Sequence, residues 1–477
     1  MVVQHNLSAM NANRMLGITT GSLAKSTEKL SSGYKVNRAA DDAAGLAISE
    51  KMRKQIRGLD QASANAEDGI SAVQTAEGAL TEVHDMLQRM NELAVKAANG
   101  TMSTDDRQTV QDEVEQLLTE IDRVAETTKF NELYMLKGDT SDKTVKLSAK
   151  DAGLDGKLVT GANSATFTIN TLKLGDSVSI GGKTYTIGDA KAKNVANSVA
   201  ALTMATGSQV TLNGVQYTIV DTEPEEDEAK NLITKDTIEK RINGGKLTSV
   251  KFNGKTYNVI TDKTGAKDNK GADAADGVDD NESSIITADK AYKYMAKELA
   301  LANNVGANKT QISIDADKAQ EVIRGKDTVQ FVFNRAEATT KEDLNFSLHV
   351  GADADMTNKI SVKIASLDTT GLGIAGLNVK DKTGISATYA IDSIADAIAK
   401  VSAQRSSLGA IQNRLEHTIN NLDNVVENTT AAESQIRDTD MAEEMVKYSK
   451  NNILQQAGQS MLAQANQANQ GVLSLLS

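Results

Sequence analysis

Apolar residues recur every three or four positions over two long stretches near the ends of the chain, and the pattern breaks between them. From Ile48 the recurrence runs through Met52, Ile56, Leu59, Ala62, Ala66, Ile70, Val73, Ala76, Leu80, Val83, Leu87, Met90 and Ala97. This spacing keeps one narrow stripe on one side of a helix. It predicts a single helix reaching about Asn99, carried through Gly69 and Gly78, each costing about 1 kcal/mol relative to Ala. Gly100-Thr101-Met102-Ser103 ends it. Thr104 with Asp105-Asp106 supplies an N-cap and an acidic first turn for a second helix bearing Val110, Val114, Leu117, Leu118, Ile121 and Val124. A matching stripe of Ile394, Ile398, Val401, Leu408, Ile411, Leu415, Ile419, Leu422 and Val426 is long enough to lie along the first and complete a bundle.

A thinner stripe marks each terminus. Met445, Ile453, Ala457, Met461, Ala465, Ala468 and Val472 follow Met441, and Leu7, Met10, Leu16, Leu23 and Leu30 offer a mate. Two such Ala-, Gln- and Asn-rich helices bury too little to offset their ordering entropy. They are expected to be unfolded alone and helical in an assembly. The closing string Val472-Leu473-Ser474-Leu475-Leu476 is likewise expected to be wet in a monomer and covered in a polymer.

Between the helical ends the period changes. Val178-Ser-Ile180-Gly-Gly182-Lys-Thr-Tyr185 recurs as Val210-Thr-Leu212-Asn-Gly214-Val-Gln-Tyr217 and as Val250-Lys-Phe252-Asn-Gly254-Lys-Thr-Tyr257. Val and Tyr stand seven apart around Gly-Gly or Asn-Gly, which predicts three two-residue hairpins, since both turn residues need positive φ. Helix-like stretches at Ala190–Thr203, Glu228–Arg241 and Ala288–Asn303 suggest small mixed α/β units. Leu344–Ala352 and Ile360–Ile364 alternate apolar with polar and predict a further hairpin. The fold class is therefore mainly α: long terminal helices forming a coiled-coil pair and a bundle with a β-hairpin element, plus a central α+β, β-rich insert. The divisions expected are 1–42, 43–137, 138–342, 343–436 and 437–477, the first and last pairing as one helical domain and the second and fourth forming a bundle.

Composition narrows the function. Aromatics are 3% of the 477 residues, so the helical core is aliphatic. The net charge of −12 argues against nucleic acid as the main partner. Zero Cys excludes disulfides and thiol chemistry. No apolar run reaches the length of a membrane span. Met1-Val-Val-Gln-His-Asn-Leu lacks the basic-then-apolar order of a secretory signal. The histidines His5, His84, His349 and His417 are scattered, and no His-Glu-x-x-His, phosphate-loop or Gly-x-Ser-x-Gly motif is present. No catalytic residue, metal ligand or cofactor is expected. The acidic stretches Glu223–Glu228 and Asp273–Glu282 miss the calcium-loop pattern and are expected to be solvated loops.

Leu30-Ser-Ser-Gly-Tyr-Lys-Val-Asn-Arg-Ala-Ala-Asp-Asp-Ala-Ala-Gly-Leu-Ala-Ile-Ser49 resembles the N-terminal signature of bacterial flagellin. So do Gln88–Val95, Glu120–Val124 and Phe130-Asn131. At the other end Ser406–Leu415, Ile436–Ala442 and Gln464–Gln467 are similar to the same family. The resemblance covers about 1–136 and 343–477, with Glu132 standing where the family often has Gly. Gly33, Asp41-Asp42 and Gly45 can form an elbow between inner and outer helices. Arg437–Asp440 matches it on the return path, with Thr439 or Asp440 capping the last helix.

The resemblance implies a subunit that polymerises through its terminal helices into the hollow filament of the flagellum. Leu7, Met10, Leu16, Leu23, Leu30, Met445, Ile453, Met461, Val472, Leu473 and Leu476 would carry self-assembly. It also implies secretion by type III export, an export chaperone on about Met441–Ser477, and filament cap and junction proteins as partners. Arg89, Leu93 and Glu113 match positions bound by the flagellin-sensing Toll-like receptor; Arg89 and Leu93, four apart, would share a helix face. Two alternatives stand beside this reading: a hook–filament junction protein, and a secreted adhesin acting through the insert.

Overall fold

The computed structural model describes residues 6–221, 227–262, 276–381 and 383–476, with side chains left out at 228 and beyond 468. Its helices are α1 (Leu7–Ser32), α2 (Ala43–Ala98), α3 (Thr104–Thr127), α4 (Ala192–Ala200), α5 (Lys235–Asn243), α6 (Ala288–Asn303), α7 (Thr369–Leu372), α8 (Ile385–Arg437) and α9 (Met441–Leu476). The chain divides into two compact units, one of residues 1–73, 346–362 and 409–477, the other of 74–345 and 363–408, with α2 and α8 running through both.

The long stripes fold as their spacing predicts. In the second unit Ala76, Leu80, Val83, Leu87, Met90 and Ala97 of α2 are buried. So are Val110, Val114 and Ile121 of α3, and Ile394, Val401 and Leu408 of α8. The cap of α3 falls one residue earlier than expected. Ser103, not Thr104, accepts the Asp106 N–H, and the Asp106 carboxylate accepts the Ser103 N–H in return. Arg107 then reaches back, its Nε donating to the Ala97 carbonyl at 2.9 Å and so closing the end of α2.

The first unit has a small core of Ala66, Val350, Ile360 and Leu415. Val350 directly follows, and Ile360 lies in, the strands Leu344–His349 and Lys359–Ile364, which form a two-stranded sheet. Gly69 acquires a reason here: a methyl at that position would overlap Leu348 Cδ1. The glycine lets strand and helix approach.

The insert keeps the register read from its repeats. Val178 pairs with Tyr185, Val210 with Tyr217 and Val250 with Tyr257. The turn pairs Gly181-Gly182, Asn213-Gly214 and Asn253-Gly254 all have positive φ. A parallel segment leading into a helix completes each hairpin. For the second hairpin it is Leu232–Thr234 and α5, for the first Ile285–Thr287 and α6, and for the third the Asp189–Val259 bridge and α4. The expected helix over Glu228–Arg241 is thus corrected. A 3₁₀ turn at Glu228–Lys230 precedes the strand Leu232–Thr234, and α5 starts only where the Thr234 hydroxyl caps the Thr237 N–H. α6 occupies the predicted span, and α4 is shorter than predicted.

The second and third hairpins pack Val210, Leu212, Ile219, Val250, Phe252 and Tyr257 against α4 and α5. The first hairpin shares a larger core with α6 and a four-stranded sheet of Val322–Arg324, Thr328–Asn334, Ser164–Asn170 and Lys157–Thr160. Most of Glu223–Glu228 and the start of Asp273–Glu282 lie outside the described residues. Within the described part, Asp279 is buried rather than solvated. Its carboxylate accepts the N–H groups of Thr261, Asn281 and Glu282.

Candidate assembly surface

The two chain ends run antiparallel. Asn6 Nδ2 donates to the Ala465 carbonyl at 3.1 Å, Gly458 faces Leu16, and the Gly33 carbonyl accepts the Thr439 N–H at 3.0 Å, so contacts climb α1 as they descend α9. At their far end the two elbows are bonded to each other. Gly33, at φ 77°, ends α1, and Tyr34 bridges Asp438. Lys35 N–H donates to the Arg437 carbonyl at 2.6 Å. Asp42 starts α2 by accepting the Gly45 N–H at 2.9 Å, and a Cβ at Gly45 would displace the Asp42 carboxylate from this cap. Of the two caps expected for α9, Asp440 serves, accepting from Ala442 and Glu443, while the buried Thr439 hydroxyl has no partner among the described residues.

Charge braces this junction. Arg437 pairs with Glu50 at 2.6 Å and Arg53 with Glu433 at 3.1 Å. The hydrogen bond from Arg437 holds the Glu50 carboxyl below its ordinary range.

Beyond the elbows the pair is apolar and uncovered. Among the described residues no apolar side chain of α1 or α9 is buried; Ser26 and Glu444 are the residues that are. Leu7 is 69% exposed and Ile453 66%, and Met10, Met445 and Met461 are exposed with them. Leu16, Leu23 and Leu30 are half-buried. Sequence periodicity missed Met15, Ile18, Val446 and Leu454, which are also exposed. A groove lined by Met15, Leu16, Leu454 and Met461 lies along the pair. The side chains of Val472, Leu473 and Leu476 fall outside the described residues.

The three receptor-motif residues separate. Arg89 pairs with Glu113 at 2.9 Å and with Glu92 at 3.1 Å on the exposed side of α2 and α3. Leu93 is 2% exposed and belongs to the core, so it does not share the exposed face of Arg89. The reason is the stripe itself: Leu93 is three residues from Met90 and four from Ala97, both buried.

Residues 3–141 match the family model of the bacterial flagellin N-terminal helical region, and 391–476 that of the C-terminal helical region. A flagellin of Clostridium tyrobutyricum is 38% identical over 473 residues, covering 98% of this chain and 100% of its own. One from Halalkalibacterium halodurans is 33% identical over 476 residues, covering 100% of both. A solved flagellar hook associated protein-3 from Legionella pneumophila is 14% identical, covering 81% of this chain and 98% of its own at a TM-score of 0.33. With both terminal regions matched and full-length relatives at this identity, the chain belongs to the bacterial flagellins, the structural subunits of the flagellar filament.

Proposed function

We propose that the chain polymerises by covering α1 and α9 with neighbouring copies. The observation that carries this is the absence of any buried apolar side chain in either helix among the described residues, although both carry long apolar stripes. Helices of this length with so little burial gain their stability from packing partners rather than propensity. In this reading residues 1–42 and 437–477 form a coiled-coil pair lining a central channel. Residues 43–137 and 343–436, with the β-hairpin element of Leu344–Ile364, form the wall, and 138–342 is the surface insert. The work is mechanical, with no catalytic step. The same apolar face of α9 is what an export chaperone would hold before type III secretion, and cap and junction proteins would meet the ends of the filament.

Negative-stain microscopy after seeding tests this. The intact chain should give long tubes and a chain lacking Met441–Ser477 none. Tubes from the truncated chain would overturn the assignment of α9.

Toll-like receptor recognition is a second property of the same reading, supported by the motif resemblance and by the exposed Arg89–Glu113 pair, with Leu93 packing beneath rather than touching the receptor. Arg89→Ala should lose receptor capture by the monomer. Unchanged capture would remove the assignment.

A further inference from the structure

A polar cleft of about 380 Å³ opens in the insert between the first and third hairpins and the loop before α6. Strand alternation makes its floor. On the third hairpin Val250 and Tyr257 enter the core under α4 and α5, which turns Ser249, Thr256 and Asn258 to the other face, into the cleft. Thr186 of the first hairpin and Thr261 face the same cleft. Asn258 is 5% exposed, yet among the described residues its amide has no hydrogen-bond partner in the protein. The hydroxyls of Ser249, Thr256 and Thr186 have none either. An amide and hydroxyls that line a cleft without partners in the protein are free to pair with the polar groups of whatever enters it.

The chemistry of the lining selects that partner. Each of these side chains offers a donor and an acceptor together. Asp279 and Glu282 stand at the cleft, and among the described residues no Lys or Arg lines it, which disfavours anions. Asp279 is already satisfied by backbone N–H groups, which disfavours a bare cation. Val259 and Ile285 add a narrow apolar strip for C–H groups. We propose that this cleft binds a neutral saccharide, its hydroxyls paired by Asn258, Thr256 and Ser249. With no aromatic ring among the described lining residues to stack on a sugar face, binding is weak, at about millimolar.

Saturation-transfer NMR on the monomeric full chain tests this, with the methyl glycosides of galactose, mannose and N-acetylglucosamine as probes and inorganic phosphate as competitor. At least one glycoside should give saturable transfer that phosphate leaves unchanged. Asn258→Leu, and separately Thr256→Val at the half-buried rim, should each weaken it by about tenfold or more with the circular dichroism melt retained. If Asn258→Leu does not fold, Thr256→Val decides. No transfer from any of the three glycosides, displacement by phosphate, or binding unchanged in the folded variants would overturn the proposal. None of these outcomes touches the filament reading, which rests on α1 and α9.

Discussion

The guanidinium of Arg437 lies 4.9 Å from the centroid of the Tyr34 ring, bringing together the two elbows where the chain enters and leaves its terminal helices. Arg53 lies over the same ring at 5.7 Å and donates to its hydroxyl at 3.3 Å. Glu50 and Glu433 hold the two arginines in place, and the backbone bonds of Gly33 and Lys35 close the same point. A cation over an aromatic ring is worth about 0.5–2 kcal/mol depending on desolvation. Tyr34→Leu is therefore expected to speed amide hydrogen exchange at Lys35 and Thr439, while Tyr34→Phe, which keeps the ring, changes it far less. Equal protection in both variants would show that the ring does not brace the elbows.

Two glycines in α2 predict opposite outcomes. Nothing lies within 4 Å of a Cβ built at Gly78, so Gly78→Ala should stabilise the chain by about 1 kcal/mol through helix propensity. At Gly69 the same gain is outweighed by overlap with Leu348, and overpacking typically costs about 1–3 kcal/mol. Urea midpoints for the two variants should move in opposite directions.

The turn at Asn131-Glu132 gives a third backbone prediction. Asn131 and Glu132, between the paired strands Lys129–Phe130 and Leu133–Tyr134, have φ of 45° and 68°. The turn has left-handed geometry at both positions although neither residue is glycine, and a left-handed non-glycine residue costs about 1–2 kcal/mol. Glu132→Gly should raise stability by about 1 kcal/mol in thermal unfolding, a gain that Glu132→Ala should not reproduce.

What the sequence made legible was local. The stripe from Ala62 to Ala97 needed only a 3.6-residue period, and Asn213-Gly214 and Asn253-Gly254 fixed their hairpins through a positive-φ requirement that is written in two residues. Long-range pairing left no such mark. Thr328–Asn334 buries Val329, Phe331 and Phe333 on one side, but nothing in it names Ser164–Asn170 as its partner, and the first hairpin finds its parallel strand only at Ile285–Thr287. Leu93 fell to the same cause. A helix face can be read from spacing, but whether that face meets solvent depends on what packs against it. The cleft at Asn258 was invisible because its walls come from three separated segments.

Assembly and folding should separate by mutation. Ile453 is exposed, so Ile453→Asp costs the monomer little, as surface changes usually stay within about 0.5 kcal/mol. It should nonetheless abolish tubes, because a charge would have to be buried between copies. Leu87→Asp, in the core of α2, should instead unfold the monomer before assembly is tried. Normal tubes from Ile453→Asp would move the interface away from that face of α9.

The pH dependence follows from two lysines on one side of α8. Lys150 Nζ donates to Ser393 Oγ, and Lys400 Nζ donates to the Gly371 and Leu372 carbonyls at 3.1 and 2.9 Å. Burial pushes both ammonium groups down from 10.5, while Asp396 draws both partly back. A lysine lowered in the folded state binds its proton less tightly there than in the unfolded chain. Stability is therefore reduced while both states are charged and recovers as pH rises through the folded pKa towards 10.5. Tyr389 acts in the opposite sense at the top of that window. Burial first, and then its bond to Glu298 at 2.7 Å, push its hydroxyl far above 10.0, so its contribution is complete below that pH and declines above it. Asp392, raised by burial, titrates on the acid side and leaves the window alone. The urea midpoint should therefore climb on the alkaline side as the pH rises towards 10 and then fall. Lys150→Met should flatten part of the climb without altering the fall, and Tyr389→Phe should soften the fall without altering the climb. A climb of the same height in Lys150→Met would show that its buried ammonium is not the group being titrated.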